Sequence, residues 1–359
     1  MSSATHDLAE LELAELEHLL QESGHSAFHA RQLYRWLYRH GVTDFDQMTN
    51  LSKELRSDLR QRFTVRRPAI VSNQQSADGT RKFVLELADK RRIESVFIPD
   101  TPSQTFCIST QVGCAMSCAF CLTGKMGLVR HLTAGEIAGQ VVTLAIATGL
   151  LEHPFNIVLM GMGEPLHNYD NTMKALRMLH VEEGLAISPR RITLSTVGIV
   201  PGLERLSREP LMPNLAISLH ATTEEQRTAL VPPNVKYSLA AILDACRRFP
   251  LKKRSRITFE YVLLDGVNDT PEDARRLARL LSGIKAKVNL IPLNPAPGIP
   301  YERPSDARVD RFAQVLADRH LTVSVRKSRG RDIRAACGQL IVEGGSKKSA
   351  AQQMALLLR

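Results

Sequence analysis

Long apolar stretches are missing from this chain. The least interrupted one, Ile137 to Leu151, contains Gln140, Thr143 and Thr148, lies between Glu136 and Glu152, and is shorter than the ~20 residues a spanning helix needs, which argues against a membrane protein. Basic residues are missing from the beginning. Asp7, Glu10, Glu12, Glu15, Glu17 and Glu22 all precede the first Lys or Arg, the reverse of a secretory leader, so a cytoplasmic protein is expected. Cysteine is scarce. Six residues, Cys107, Cys114, Cys118, Cys121, Cys246 and Cys337, are too few and too unevenly placed for a secreted disulfide framework, which leaves metal binding or thiol chemistry. No short-period repeat or low-complexity tract is present.

What is there suits a folded, basic protein. Hydrophobic residues make up 43% and charged residues 23% of 359, enough to build a core of one large domain or two to three smaller ones. Lys plus Arg exceed Asp plus Glu by 47 − 37 = 10, which favours a polyanionic partner, most simply a nucleic acid. Residues 29–67 carry nine bases against four acids. A helix over His29 to His40 would place Arg31, Arg35 and Arg39 on one face with Leu33, Trp36 and Leu37 buried. Ser52 would cap a second helix carrying Leu55, Leu59 and Phe63 at every fourth position. Tyr34, Trp36 and Tyr38 are candidates for stacking on bases, with Trp36 the best suited of them to the core.

From Ala69 the period changes to two. Strands are expected at Ala69 to Gln75, Arg81 to Leu87 and Arg92 to Ile98, with a hairpin turn at Asp78-Gly79. Beyond residue 105, strands at Cys107 to Val112, Asn156 to Met160, Arg191 to Thr196, Leu215 to Leu219, Thr258 to Leu264, Val288 to Leu293 and Leu321 to Val325 alternate with helical stretches. Such alternation predicts a parallel sheet, open or closed into a full or partial barrel, with its site at the carboxyl ends of the strands.

The sharpest signal is Cys114, Cys118 and Cys121, a C-x3-C-x2-C array directly after a predicted strand. Three thiolates can hold three irons of a four-iron cluster and leave the fourth open to a small molecule. Zinc is the alternative, with His131 completing a Cys3His set. Cys246 lies on a helical face three residues after Leu243 and reads as core.

With an aromatic, Phe120, before its last cysteine, this array resembles the radical S-adenosylmethionine (SAM) superfamily. Further motifs narrow the resemblance: Ser109 to Cys114, Met160 to Pro165, Ser195 to Gly198, Ser218 to Ala221, Phe259 to Val262, Asn289 to Pro295 and Ala335 to Leu340. In that order they are similar to the adenosine C2 RNA methyltransferases of the RlmN type, from about residue 20 to 342. The resemblance implies an α/β fold, a partial (β/α)6 radical SAM barrel at 105–342, with an N-terminal small helical, basic RNA-contacting domain at 1–67, a short strand-rich connector at 68–104 and a C-terminal tail at 343–359.

It also implies roles. A [4Fe-4S] cluster would sit on Cys114, Cys118 and Cys121. SAM would be bound by Gly163, Glu164, Ser195, Ser218, Leu219, His220 and Asn294. Carbon 2 of adenine is electron-poor and does not attack a methyl cation donor, so a radical route is required. In the family's scheme Cys337 takes a methyl from one SAM, a second SAM is cleaved reductively to generate the radical, Glu94 acts as base, and Cys107 resolves the protein–RNA adduct through a transient disulfide with Cys337. The implied substrates are adenosine 2503 of 23S rRNA and adenosine 37 of tRNA. The implied electron donor is of flavodoxin or ferredoxin type, and the chain is expected to act as a monomer, away from membranes. Three rival readings remain: a related carbon 8 rRNA methyltransferase, a zinc-stabilised RNA-binding protein, and a thiol oxidoreductase using Cys107 and Cys337.

Overall fold

A computed structural model describes residues 6–99 and 103–342; the tail expected at 343–359 lies outside the described residues. Seven parallel strands form the centre: Thr105–Cys107, Asn156–Leu159, Ile192–Thr196, Asn214–Ser218, Ile257–Leu263, Ala286–Pro292 and Thr322–Val325, each bonded to the next. Helices fill the crossovers. Ala134–Thr148 and Tyr169–His180 bracket the second strand, followed by Val200–Leu206, Leu239–Arg248, Pro271–Leu280 and Asp306–Ala317. Strand–helix alternation in a parallel sheet places every carboxyl strand end on one rim.

The expected strands between residues 69 and 98 form, at Ala69–Gln75, Arg81–Glu86 and Arg92–Ile98. They are no free-standing link. Arg92–Ile98 pairs antiparallel with Thr105–Cys107, so the three strands extend the barrel sheet to ten. The pairing sets Val96 opposite Cys107 and places Glu94 two residues along on the same face.

One expected strand is broken. Cys107 to Val112 splits into Thr105–Cys107, in the large sheet, and Gln111–Gly113, which turns away to pair with Leu128–His131. Ser109 is the corner. Its N–H and C=O are both satisfied by the side-chain amide of fully buried Gln140, and its hydroxyl donates to the Glu94 carbonyl at 2.6 Å. A buried side chain that supplies both a donor and an acceptor removes the ladder's hold on that residue.

At the N-terminus, Leu13–Glu22, Ala27–Tyr34 and Lys53–Arg62 pack together, and Ser52 caps the last through the Leu55 N–H. The helix over Ala27–Tyr34 widens into a π-helical turn at Arg35–Arg39. The expected buried stripe holds for Leu33 and Leu37 but not for Trp36. Tyr34 and Tyr38 enter the core, their hydroxyls donating to the carbonyls of Met178 and Ala9, while Trp36 stays half-exposed and donates to Asn50. The two tyrosines are therefore unavailable for stacking on bases.

The acidic leader has a structural use. Glu10 accepts from the Thr133 hydroxyl and Gly135 N–H, Glu12 takes the Arg177 guanidinium at 2.6 and 2.9 Å, and Glu15 pairs with Lys174. These contacts set the N-terminal helices against the barrel helices Ala134–Thr148 and Tyr169–His180, and one apolar core runs through both parts. Among the described residues no helix is long and apolar enough to cross a membrane.

Candidate active site

The three cysteines ride on the loop between Gln111–Gly113 and Leu128–His131. Gly113 allows that loop to close: at φ +75° a Cβ would lie 1.8 Å from the Gly127 carbonyl oxygen. Within the loop Ser117 adopts φ 53°, a left-handed residue that turns the chain between Cys114 and Cys118. Backbone bonds from Ala119 N to Leu230 O and from Leu122 N to Gly338 O fix the loop at both sides of Cys121.

All three thiols line one cavity with side chains delivered from successive strand ends: Glu164, Ser195, Ser218, His220, Glu260 and Asn294, joined by Arg326 and Cys337. Burial raises the pKa of Cys114, Cys118 and Cys121, so each stays a thiol unless a cation compensates its charge. Arg227 stands behind Cys118 as a fully buried cation. Its guanidinium donates to the carbonyls of Val197 and Ser218 and to Asn234, while its Nε has no partner among the described residues.

Glu164 is buried, and burial pushes its carboxyl up to about 7 against the bonds it accepts from Val197 N at 2.9 Å and Leu166 N at 3.0 Å. Its own N–H donates to Gln111 Oε1. Gly163 sits at φ +103°, and a Cβ there would come within 2.6 Å of the Gln111 Cβ and 2.8 Å of its backbone nitrogen, so only glycine keeps the wall this close. Ser195 and Ser218 hydroxyls lie 3.3 Å apart. His220, at φ 62°, accepts the Val262 N–H at Nδ1 and meets Phe120 edge-on, and burial lowers its pKa to about 3. Asn294 donates to the Cys337 carbonyl, and its buried Oδ1 has no partner among the described residues.

Leu219 is the exception among the expected SAM residues. Strand alternation turns it from Ser218 and His220 into the core, fully buried, and its N–H bonds the Glu260 carbonyl. It does not line the cavity.

His131 is also elsewhere. Its Nδ1 faces the Gln111 side-chain amide at 3.0 Å and its ring meets His167 edge-on at 5.0 Å, off the cysteine cavity. Among the described residues no three His, Cys, Asp or Glu side chains are grouped to hold a single metal ion. A four-iron cluster asks for thiols spread around it, and the three-thiol wall beside an orphaned buried acceptor fits that group and a polar co-ligand better than a Cys3His zinc site.

Of the three remaining cysteines Cys246 is core, as expected, and Cys107 and Cys337 meet over the sheet. Cys107, buried, is pushed up to about 12 by burial and then by the nearness of Cys337. Arg326 is the cation beside both thiols and Glu260. Both cysteines are free thiols. Cys337 lies in the segment that crosses the sheet face, held by Gly330 N to Asp78, Asp332 to Ser76, Leu340 O to Thr123 and Ile341 N to Glu94. Glu94 lies on that face in a neighbouring cavity, not in the thiol cavity. It is buried, paired with Lys82 at 3.1 Å, and raised by burial against that pairing.

Sequence reasoning passes over Glu260, Arg227 and Gln111 as site residues, whereas the basic segment from Arg326 to Arg334 reads from the sequence as one suited to phosphate contact and to a reactive thiol. For Glu260 the signal was present, since a carboxylate inside the central parallel strand Ile257–Leu263 has no bland explanation. Arg227 carried none, because a helical arginine reads as a solvated face.

Six strand–helix units gathering polar groups around a three-cysteine loop define a radical SAM enzyme, and residues 108–281 match the Radical SAM superfamily. Residues 6–65 match the ribosomal RNA large subunit methyltransferase N-terminal domain. Over 334 residues the chain is 51% identical to the dual-specificity RNA methyltransferase RlmN of Geobacter sulfurreducens, covering 93% of this chain and 91% of that one. It is 49% identical over 345 residues to RlmN 2 of Myxococcus xanthus, with 94% and 91% covered. The crystal structure of a radical SAM methyltransferase from Sphaerobacter thermophilus superposes with a TM-score of 0.89 at 48% identity, covering 93% of this chain and 99% of that one. The chain belongs to the RlmN family of radical SAM methyltransferases.

Proposed function

We propose that this chain methylates carbon 2 of adenosine in 23S rRNA and tRNA, with Cys337 as the methyl carrier. The observation that carries the reading is the placement of Cys337: on the rim of the cavity that Cys114, Cys118 and Cys121 line, with Cys107 and Arg326 beside it. A cluster on the three cysteines and SAM beside it supply a carbon radical when bound. The chain's own residues do the rest. Glu164, Ser195, Ser218, His220 and Asn294 orient SAM, and the neutral His220 and the Asn294 acceptor serve its polar groups. Arg326 lies beside Cys337 as the counter-charge for the sulfur as it attacks the SAM methyl, and in resolution Cys107 attacks the Cys337 sulfur, so that the S–S bond forms as the S–CH2 bond to the RNA base breaks.

Cys107 resolves the adduct. Its burial keeps it protonated until Cys337 is engaged, so premature exchange is suppressed. Glu94 accepts the carbon 2 proton. Burial favours its protonated form, and its place on the same sheet face as Cys107 puts it under the segment that carries Cys337. A reductant of the flavodoxin or ferredoxin class supplies the electrons, and the chain acts as a monomer.

Two variants test this. Anaerobic incubation of Cys337→Ala with SAM, reductant and RNA is expected to leave both protein and RNA unmethylated with the cluster's visible absorption intact. Cys107→Ala is expected to accumulate a covalent protein–RNA species. Chromatography of the released nucleosides against authentic 2- and 8-methyladenosine, which share one mass, must then give 2-methyladenosine from the unaltered protein; 8-methyladenosine would overturn the assignment of position.

A further inference from the structure

The catalytic rim collects the carboxyl ends of the strands, yet the densest run of unpaired cations lies at their amino ends. There a cleft of about 870 Å³ opens among the starts of Ile192–Thr196, Asn214–Ser218, Ile257–Leu263 and Ala286–Pro292. Its basic lining is Arg190, Lys252, Lys253, Arg254, Arg256 and Lys287, and no acidic residue lines it. All six are exposed, and none of them has an ion-pair partner among the described residues. Arg256 is oriented by a bond to the Thr322 hydroxyl, and Asn214 braces the opposite wall by donating to the carbonyls of Arg190 and Ile192.

In the N-terminal helices, the region expected to contact RNA, the cations are mixed with acids. Arg31, Arg60 and Arg62 pair with Glu17, Asp46 and Asp58, while Arg35, Arg39 and Lys53 are exposed without an ion-pair partner among the described residues. Fixed positive charge without internal acids binds phosphate without first breaking an ion pair, and it does so regardless of base sequence.

We infer that this cleft is a second RNA site, which grips the phosphate backbone of a substrate segment distant from the adenosine in the active site. It rests on RNA being the substrate, and adds where a large RNA is held. At ~3.3 Å of rise per residue, Asn214 and Ser218 are ~13 Å apart along their strand, and Lys287 and Asn294 ~23 Å. The cleft lies at the amino and the catalytic cavity at the carboxyl strand ends, so RNA must pass around the outside of the barrel to touch both, a path that a hairpin holding only the acceptor loop does not make. A long folded RNA does.

The test compares the cluster-loaded full chain with its Lys252→Ser/Lys253→Ser/Arg254→Ser variant, by anisotropy titration without SAM or reductant. The probes are protein-free 23S rRNA and a hairpin holding only the acceptor loop. With rRNA, loss of three phosphate contacts should flatten the dependence of log affinity on log salt by about 2–3. The unaltered protein should then lose about 20- to 40-fold more affinity than the variant between about 50 and 200 mM salt. Hairpin affinity should be the same for both proteins, and Lys252→Arg/Lys253→Arg/Arg254→Lys should restore the rRNA slope. An unchanged slope with rRNA overturns the inference, as does an equal loss with the hairpin, which would put the cleft on the path to the active site. Because no methyl transfer is read, failure of the proposed chemistry leaves this result interpretable.

Discussion

Glu164 is a buried carboxyl whose proposed part in SAM binding would tie that binding to pH. Free of ligand its pKa lies near 7, above the ordinary 4.5, because burial outweighs the N–H groups of Val197 and Leu166. The folded chain therefore keeps a proton that the unfolded chain has released between those values. Stability from this group is full below pH 4.5 and is lost as pH rises through 7, on the order of 3 kcal/mol in all. A SAM ammonium works the other way by favouring the carboxylate. SAM affinity should thus climb about tenfold per pH unit up to about 7 and then level, with a proton released on binding below 7. Calorimetry of the cluster-loaded chain in buffers of different ionisation enthalpy measures both. Glu164→Gln should bind SAM weakly with no pH dependence, and a variant that retained the proton release would remove Glu164 from this role.

At the scale of elements, the strands and helices of the barrel were legible because each buried strand is a short apolar run between turn signals. The expected site residues rest on the resemblance alone, since nothing in a lone Ser195 or Asn294 distinguishes a ligand group from a turn; the fold brings both to one cavity with the three cysteines. What stayed hidden was tertiary. The break at Ser109 depends on the Gln140 amide arriving from a helix 31 residues away, and the burial of the Tyr34 hydroxyl depends on the Met178 carbonyl that it meets 144 residues on. The Asp78-Gly79 turn illustrates the same limit. Its hairpin was foreseen, but not that Asp78 reaches across 252 residues to accept the Gly330 N–H and so tethers the segment bearing Cys337. Burial pushes the Asp78 carboxyl up, yet hydrogen bonds from Thr80, Gly330 and Ser76 bring it down to about 2, so the tether holds at every working pH. Asp78→Ala should speed amide exchange in residues 328–340 and slow methylation of Cys337, while the melting temperature falls by only a few °C, since the bonds lost, from Thr80, Gly330 and Ser76, lie at the edge of the fold rather than in its core. Unchanged exchange in that segment would show that Asp332 and Glu94 suffice to hold it.

The whole molecule divides in sequence but not in its core. Leu8, Leu16, Leu20, Tyr34, Leu55 and Leu59 from the N-terminal helices belong to the same buried cluster as Ile137, Met178 and Leu194 of the barrel. The ion pairs of Glu12 and Glu15 across this boundary are partly exposed and contribute little by themselves, at most about 1 kcal/mol each. The apolar contact contributes more, because each fully buried Leu adds about 1.5–3 kcal/mol. A boundary that shares its core should not open before the rest. Trp36, the one tryptophan, sits in the N-terminal helices and reports on them alone, whereas far-ultraviolet circular dichroism averages over the chain. In urea, the cluster-free protein is therefore expected to show Trp36 fluorescence and dichroism transitions with the same midpoint and slope. Leu16→Ala, which removes buried apolar surface at the boundary, should separate them, with Trp36 changing first. Were the unaltered chain itself to lose its Trp36 signal at lower urea, the N-terminal helices would be an independently folding unit held by their surface charges, and the shared core would not be what joins them.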